Sequence, residues 1–240
     1  MISIIIPCLN EEKYIGKLLG SIYKQTFRKF EVIVVDGRSH DKTVNIAKNY
    51  LKKMDLKIII SEKRGIGLQR NLGAKNSKYD RLLFLDSDVI LHKDYLKYLE
   101  TITRKIKLGC ATCWNLPITR KNFEIFLYQI INRAVLSTFQ KIWPAAIGTN
   151  IYSNKTYHNR INGFKENIMW EDVDYIKRIK AKGAKFSVLR KPKIYVSLRR
   201  FDKEGAINYI TKCIKGFVLV AYGGSKKLEK RIEYKHGIFD

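Results

Sequence analysis

Arg81-Leu82-Leu83-Phe84-Leu85-Asp86-Ser87-Asp88 is an apolar run of strand length that stops at two carboxylates separated by one serine. Apolar at every position instead of alternate ones, it predicts a strand covered on both faces, as inside a parallel sheet. Asp86 and Asp88 then fall just past the strand's carboxyl end, the edge where open α/β sheets bind ligands. Two carboxylates a residue apart suit a hard divalent cation, Mg²⁺ or Mn²⁺, which takes oxygen ligands and shares itself with substrate phosphates. The plain alternative is an acidic turn that caps the next helix.

Working outward, strands are expected over 2–6 (closed by Pro7), 32–35 and 57–60, each followed by a helical pattern. Over 12–25, Ile15, Leu18, Leu19 and Ile22 share one helical face. Residues 43–51 read as a helix that Asp41 or Ser39 can cap. Arg64-Gly65-Ile66-Gly67 opens a short helix through Gln69, Arg70, Asn71 and Ala74, and another runs over 94–107. Strand and helix in alternation imply right-handed crossovers and an α/β fold with a mostly parallel, Rossmann-like sheet flanked by helices. Three strand ends then deliver polar groups to one rim: Asn10 and Glu11, then Asp36, then Asp86 and Asp88. The first turn lacks the glycines of a dinucleotide fingerprint, and no P-loop lysine motif occurs. Phosphate binding must therefore come from a metal and cationic side chains.

The 240 residues suit one large domain with a real core, at 45% hydrophobic and 29% charged. Lys plus Arg outnumber Asp plus Glu by 47 to 22, a formal charge of +25. Such a field attracts nucleic acid, an anionic membrane surface or phosphorylated substrates, without choosing among them. Cys110 and Cys113 form one C-x-x-C with no second ligand pair for zinc. In an extended segment those two positions face opposite sides, so with Cys8 and Cys213 they read as reduced thiols. The first residues are strand-like and not those of a signal peptide, and no run approaches the ~20 apolar residues of a membrane span. The expectation is a cytoplasmic protein, with peripheral attachment to the inner face of the cell membrane an open possibility.

The second half changes character. Residues 110–116 read as a strand. Over 122–143, Phe123, Phe126, Leu127, Ile130, Ile131, Ala134, Val135, Phe139 and Ile142 recur at helical spacing, leaving a narrow polar stripe through Gln129, Arg133, Ser137 and Gln140. A helix this apolar is buried on several sides or touches a membrane or partner, and burial is the commoner outcome. Residues 206–222 carry a similar face and lead into the basic Lys226, Lys227, Lys230 and Arg231. The expected division is a donor half over 1–110, an acceptor and catalytic half over 111–203, and an amphipathic, basic tail over 204–240.

Five motifs carry a resemblance: Ser3-Ile-Ile-Ile-Pro7-Cys-Leu-Asn10-Glu11-Glu12, then Val-Val-Asp36-Gly-Arg-Ser39-His-Asp41-Lys-Thr43. Arg70-Asn71-x-Gly73-Ala74, Asp86-Ser87-Asp88, and Gly163-Phe164 with Glu171-Asp172 complete the set. In this order and spacing, over about residues 1–200, the chain resembles a family 2 glycosyltransferase of the GT-A fold, of the small stand-alone prokaryotic type. The resemblance implies that Asp36 reads the nucleobase and that Pro7, Asn10 and Glu11 contact the nucleotide. It implies that Asp86, Ser87 and Asp88 serve the ribose and the metal on the diphosphate, and that Asp172 is the catalytic base with Glu171 its competitor. Arg64 and Arg70 are candidates for the base or diphosphate, although an arginine here is more often a surface residue.

The chemistry is consistent with that assignment. Loss of a nucleotide diphosphate builds negative charge that a cation at Asp88 neutralises as a Lewis acid, and Arg199 and Arg200 can add clamp-like stabilisation. Asp172 near a helix start (170–182) is placed to take a hydroxyl proton from the opposite face, giving inversion. Unless it acts so, it is merely an acid favoured by the helix dipole. Where processive relatives carry Q-x-x-R-W, this chain has Ser197-Leu198-Arg199-Arg200-Phe201, with Gly205 beyond, so transfer of a single sugar is expected. The acceptor is a lipid-linked phosphate or saccharide, or else a soluble or cell-surface glycan hydroxyl. A basic nucleic-acid-binding protein is the rival from another class, but aromatics are not interleaved with Lys and Arg and no DNA-binding module is visible. A nucleotidyltransferase would need a glycine- and lysine-rich first loop, which Cys8-Leu9-Asn10-Glu11 is not.

Overall fold

In a computed structural model the described residues are 1–138, 148–166, 168, 170–205, 208 and 211. The first half runs β1 (Ile2–Cys8), α1 (Ile15–Tyr23), β2 (Phe30–Asp36), α2 (Thr43–Lys48), β3 (Leu56–Ile60), α3 (Ile66–Lys75) and β4 (Arg81–Leu85). It continues with β5 (Val89–Leu91), α4 (Tyr95–Lys105), β6 (Cys110–Pro117), α5 (Asn122–Ile130), a π-helical segment (Ile131–Thr138) and β7 (Asn150–Asn154). The last elements are α6 (Lys155–Arg160), α7 (Glu171–Ala181), β8 (Phe186–Val196) and α8 (Arg199–Glu204). The strands form one sheet in the order β3-β2-β1-β4-β7-β6-β8-β5.

The expected parallel sheet occupies one side: β3, β2, β1 and β4 all run parallel. The other side is mixed. There β7 is antiparallel to both β4 and β6, β8 is parallel to β6, and the short β5 is antiparallel to β8. The whole is a mixed α/β sheet with flanking helices.

The absence of alternation in the early strands has its reason in the core. Ile4, Ile6, Val34, Leu83 and Leu85 pack on one face with Ile15, Leu18, Leu19 and Ile22 of α1 and Leu96 of α4. Ile5, Leu82 and Phe84 pack on the other with Tyr175, Ile176 and Ile179 of α7. Each fully buried aliphatic side chain contributes roughly 1.5–3 kcal/mol. Cys113 joins the first cluster and Cys110 the second, so the two thiols do lie on opposite faces of β6. Cys8, Cys110 and Cys113 are free and buried, and burial lifts the Cys113 thiol to about 12. Cys213 lies outside the described residues.

Several boundaries differ from expectation: α1 spans Ile15–Tyr23 against the expected 12–25, and β2 begins already at Phe30. β1 passes through Pro7 to Cys8, with Pro7 opposite Val35 and Cys8 opposite Asp36. A proline near a strand's end costs little because few ladder donors remain there to lose. α2 stops at Lys48, and the apolar stretch from 122 divides into α5 and the π-helical segment. Residues 139–147 lie outside the described set.

At Gly73 α3 lies so close to β1 that a Cβ would stand 2.4 Å from Ile5 Cγ2. Gly73→Ala is therefore expected to destabilise the protein by about 1–3 kcal/mol through overpacking. In an Ile5→Ala background the same substitution should cost less. A double-mutant cycle by chemical denaturation measures the coupling, and simple additivity would contradict this packing.

Candidate functional site

The carboxyl ends of β1 and β2 are tied together by side chains that bond to backbone. Asp36 is buried, its Oδ2 accepting from the Ser39 amide at 2.9 Å and its Oδ1 from the Ser39 hydroxyl. The Asn10 amide donates to Ser39 Oγ at 2.9 Å, and Asn10 Oδ1 accepts from the His40 amide at 2.9 Å. Asn10 sits at φ 54°, a left-handed conformation that asparagine tolerates better than most residues. The Glu11 amide donates to Thr43 Oγ1 at 2.7 Å, and Asp41 accepts from the Glu12 and Thr43 amides. Asp41 thus holds the first amide of α2 from the position before the N-cap, Lys42, whose own side chain makes no capping bond. From α3, Gln69 Nε2 donates to both Cys8 O (2.9 Å) and Val35 O (2.7 Å). Arg64 donates from Nε to Gly37 O at 3.3 Å, and its Nη2 lies 3.0 Å from His40 Nε2. Pro7 is buried in β1, beneath this rim.

Arg70 departs furthest from expectation. It is fully buried, not a surface residue. Its Nη2 donates to Asp86 Oδ1 at 2.9 Å and to Gly148 O at 3.0 Å, while Nη1 donates to Glu171 Oε1 at 3.0 Å. The Phe164 ring lies 5.1 Å from the guanidinium carbon, and Nε has no hydrogen-bond partner among the described residues. A charge taken this far from water must be paired, and two carboxylates from elements far apart in sequence do so.

A second arginine repeats the device. Arg199, at the start of α8, holds Glu11 with two hydrogen bonds of 2.7 and 2.8 Å. Its Nε is 3.0 Å from Asp88 Oδ2, and the Tyr14 ring lies 4.8 Å from its guanidinium carbon. Backbone contacts fix the acidic turn: the Asp86 amide donates to Thr149 O, and the Ser197 amide to Asp88 O. Ser87 between them is buried. Arg200 follows Arg199, and its side chain lies outside the described residues.

Among the described residues no group of three or more His, Cys, Asp or Glu could hold a metal ion. Asp86 and Asp88 are present as a pair, one facing Arg70 and the other Arg199. One or two carboxylates are what Mg²⁺ uses when substrate phosphates complete its shell. The residues thus fit a cation that arrives with a diphosphate.

Glu171 and Asp172 open α7 after Trp170, which takes a left-handed φ of 61°. Asp172 is partly exposed, and its Oδ1 accepts from the Val173 amide at 2.8 Å. A Cβ added at Gly148 would come within 3.1 Å of Asp172 Oδ2, so that glycine leaves room for the carboxyl. Desolvation, then the neighbouring Glu171, raise the Asp172 pKa to about 7, against the opposing pull of Arg70.

The sequence assigns no role to several residues that the structure places beside these groups. Asn71 clasps the Phe164 backbone in both directions, Nδ2 donating to Phe164 O and Oδ1 accepting from Phe164 N, each at 2.8 Å. At Gly163 (φ +67°) a Cβ would stand 2.3 Å from Asn71 Oδ1. Asn150 bonds Asn115 and the Cys113 amide, while Asn132 of the π-helical segment pairs with the Asn115 backbone. Gln69-Arg70-Asn71, three consecutive long polar residues in a short helix, was the available signal.

The sheet order and the carboxylates at its edge define an enzyme-like α/β fold of GT-A type. A family model, Glycosyl transferase family 2, matches residues 3–164. The chain belongs to that family. It is 42% identical over 99 residues to the poly(ribitol-phosphate) beta-N-acetylglucosaminyltransferase TarS of Staphylococcus aureus, covering 40% of this chain and 17% of that protein. A Methanococcus voltae dolichyl N-acetyl-alpha-D-glucosaminyl phosphate 3-beta-D-2,3-diacetamido-2,3-dideoxy-beta-D-glucuronosyltransferase is 32% identical over 186 residues, 73% of this chain and 57% of that one. The crystal structure of S. aureus TarS 1-349 with UDP superposes with a TM-score of 0.68 at 27% identity, covering 82% of this chain and 60% of that one. The mannosyltransferase PcManGT from Pyrobaculum calidifontis, in complex with GDP-Man and Mn²⁺, shares the fold with a TM-score of 0.69 at 19% identity, covering 89% of this chain and 64% of that one. The chain thus spans less than two thirds of each of these proteins.

Replacing Arg70 by Met leaves Asp86 and Glu171 facing each other without a cation. We expect a loss of about 3–5 kcal/mol in urea unfolding, with Arg70→Lys losing less. An unchanged midpoint for Arg70→Met would show that the pairing contributes nothing to the fold.

Proposed function

We propose that the protein moves one sugar from a nucleotide-diphosphate sugar to the hydroxyl of a lipid-linked saccharide, with inversion, at the inner face of the cell membrane. The observation that carries the reading is the gathering of Glu11, Asp86, Asp88, Glu171 and Asp172 around two arginines at one sheet edge. Family membership supports the reaction class. The bound UDP of TarS and the dolichyl-linked sugar in the Methanococcus voltae protein's name support the donor and acceptor classes.

In this reading residues 1–110 hold the donor, 111–203 the acceptor and base, and 204–240 form a tail lying almost wholly outside the described residues. Asp36, its oxygens both accepting from Ser39, keeps lone pairs for a nucleobase donor group. Asn10, with its backbone amide on Ser39 and its side chain on His40, shapes the nucleoside pocket, and Arg64 stands beside it. A divalent cation held by Asp88, with Asp86 alongside, would supply Lewis-acid neutralisation of the departing diphosphate. Arg199 contributes fixed positive charge near the same oxygens. Arg70 becomes a positioning residue, since its contacts are to protein carboxylates. Asp172 takes the acceptor proton, and a pKa near the working pH suits a general base. A phosphate acceptor, already ionised, would have little use for that base, which is why a hydroxyl is favoured.

Two tests follow. Since only ionised Asp172 accepts a proton, kcat/KM for a hydroxyl acceptor should fall about tenfold per pH unit below about 7. Asp172→Asn should lose about 10²–10⁴-fold in transfer, with UDP or GDP affinity in calorimetry, with and without Mn²⁺, nearly unchanged. Near-full activity would sink the hydroxyl reading. The folded-state pKa is raised, so the folded chain holds a proton that the unfolded chain has released. Stability from Asp172 is thus lost as pH rises from about 4 through about 7. Asp172→Asn removes that loss and should melt above wild type at pH ~8.

A further inference from the structure

α5 carries its largest apolar side chains outward. Phe123 is 66% exposed, Phe126 59% and Ile130 44%, and Ile118 just ahead of the helix is 47% exposed. Spacings of three and four residues put Phe123, Phe126 and Ile130 on one face. At Phe123, Phe126 and Ile130 the expectation of burial is not met; residues 139–147 of the same apolar stretch lie outside the described set. Arg120 and Arg133 are exposed at either end of it. The one acid between residues 111 and 138 is Glu124. It is buried, accepting from the Thr119 hydroxyl and lying 3.3 Å from Lys121 Nζ.

We propose that this face docks the protein on an anionic lipid bilayer, the two phenylalanines entering the headgroup boundary and Arg120 and Arg133 meeting lipid phosphates. Exposed aromatics flanked by cations suit that boundary. A second copy of the chain fits less well. A two-fold interface would bring each copy's cations to the same seam, with no exposed acid among residues 111–138 to meet them and a formal charge of +25 on each. The inner side of α5 also connects to the site. Tyr128 packs on Phe201 of α8, ring centroids 5.8 Å apart, and α8 begins with Arg199, which holds Glu11 and Asp88. Docking by α5 would therefore present the catalytic edge to acceptors carried in the membrane. That purpose rests on the lipid-linked acceptor proposed above; the docking itself does not.

The full-length chain is floated with vesicles of phosphatidylcholine alone or with about 30 mol% phosphatidylglycerol. Wild type should float with the anionic vesicles only, and less so at high salt. Phe123→Ser/Phe126→Ser should lower the bound fraction about tenfold or more, with its melting temperature and UDP binding unchanged. Arg120→Gln/Arg133→Gln should lower it several-fold and flatten the salt dependence. Flotation of the phenylalanine variant equal to wild type would overturn the proposal. So would a vesicle-free dimer in sedimentation that the same variant abolishes. Failure of nucleotide binding or transfer with flotation intact would sink the catalytic reading and leave the docking surface standing.

Discussion

The pairing of Arg70 with Asp86 and Glu171 is the constraint on which the rest of the site depends. Asp86 ends the parallel half of the sheet, and Glu171 begins α7 on the far side of the chain. Neither acid has reason to stay near the other, or near Asp172, without a cation between them. A buried guanidinium is tolerable only when its charge is paired, so the need runs both ways. The fold cannot close with α7 in another place without stranding a charge.

The same logic explains why the site has the electrostatic character it does. Around Arg70 and Arg199 stand Glu11, Asp86, Asp88, Glu171 and Asp172, five acids to two bases, a local excess of three negative charges (5 − 2) if all are ionised. This sits inside a chain of formal charge +25. If a polyanionic donor binds here, as proposed, long-range steering would bring it in although the immediate surroundings of its diphosphate are acidic. That contrast supports the proposal of a divalent cation entering with the nucleotide. It also bears on Asp172: desolvation first, and the neighbouring Glu171 second, hold its proton up to about pH 7.

Much of this was legible in the chain. Apolar runs at 4–6, 32–35 and 82–85 announce strands covered on both faces, and the polar residues after each place Asn10, Glu11, Asp36, Asp86 and Asp88 on one edge. What the sequence could not disclose is pairing over distance. Arg70 and Glu171 are 101 residues apart, and Arg199 and Glu11 are 188. Local pattern therefore offered Arg70 only as a surface residue or ligand contact. β5 is three residues long, β7 is Asn-Ile-Tyr-Ser-Asn, and β8 is interrupted by exposed Arg190 and Lys191, so none carries a long apolar run. For α5 the periodicity identified an apolar face correctly. It carried no information about whether anything covers that face, because the cover is supplied by tertiary neighbours or by none.

One turn of α3 carries the connection between the two halves. Gln69 points to the ends of β1 and β2, Arg70 reaches Glu171, and Asn71 clasps the Phe164 backbone. Gly73, one turn further on, presses the helix against Ile5 with no room for a methyl group. Three consecutive side chains thus bond to the nucleotide-side rim, to the neighbour of the proposed base, and to the loop before it. On the proposed reading, a donor at that rim and an acceptor beside Asp172 would both bear on this short helix, which has little amphipathic pattern of its own.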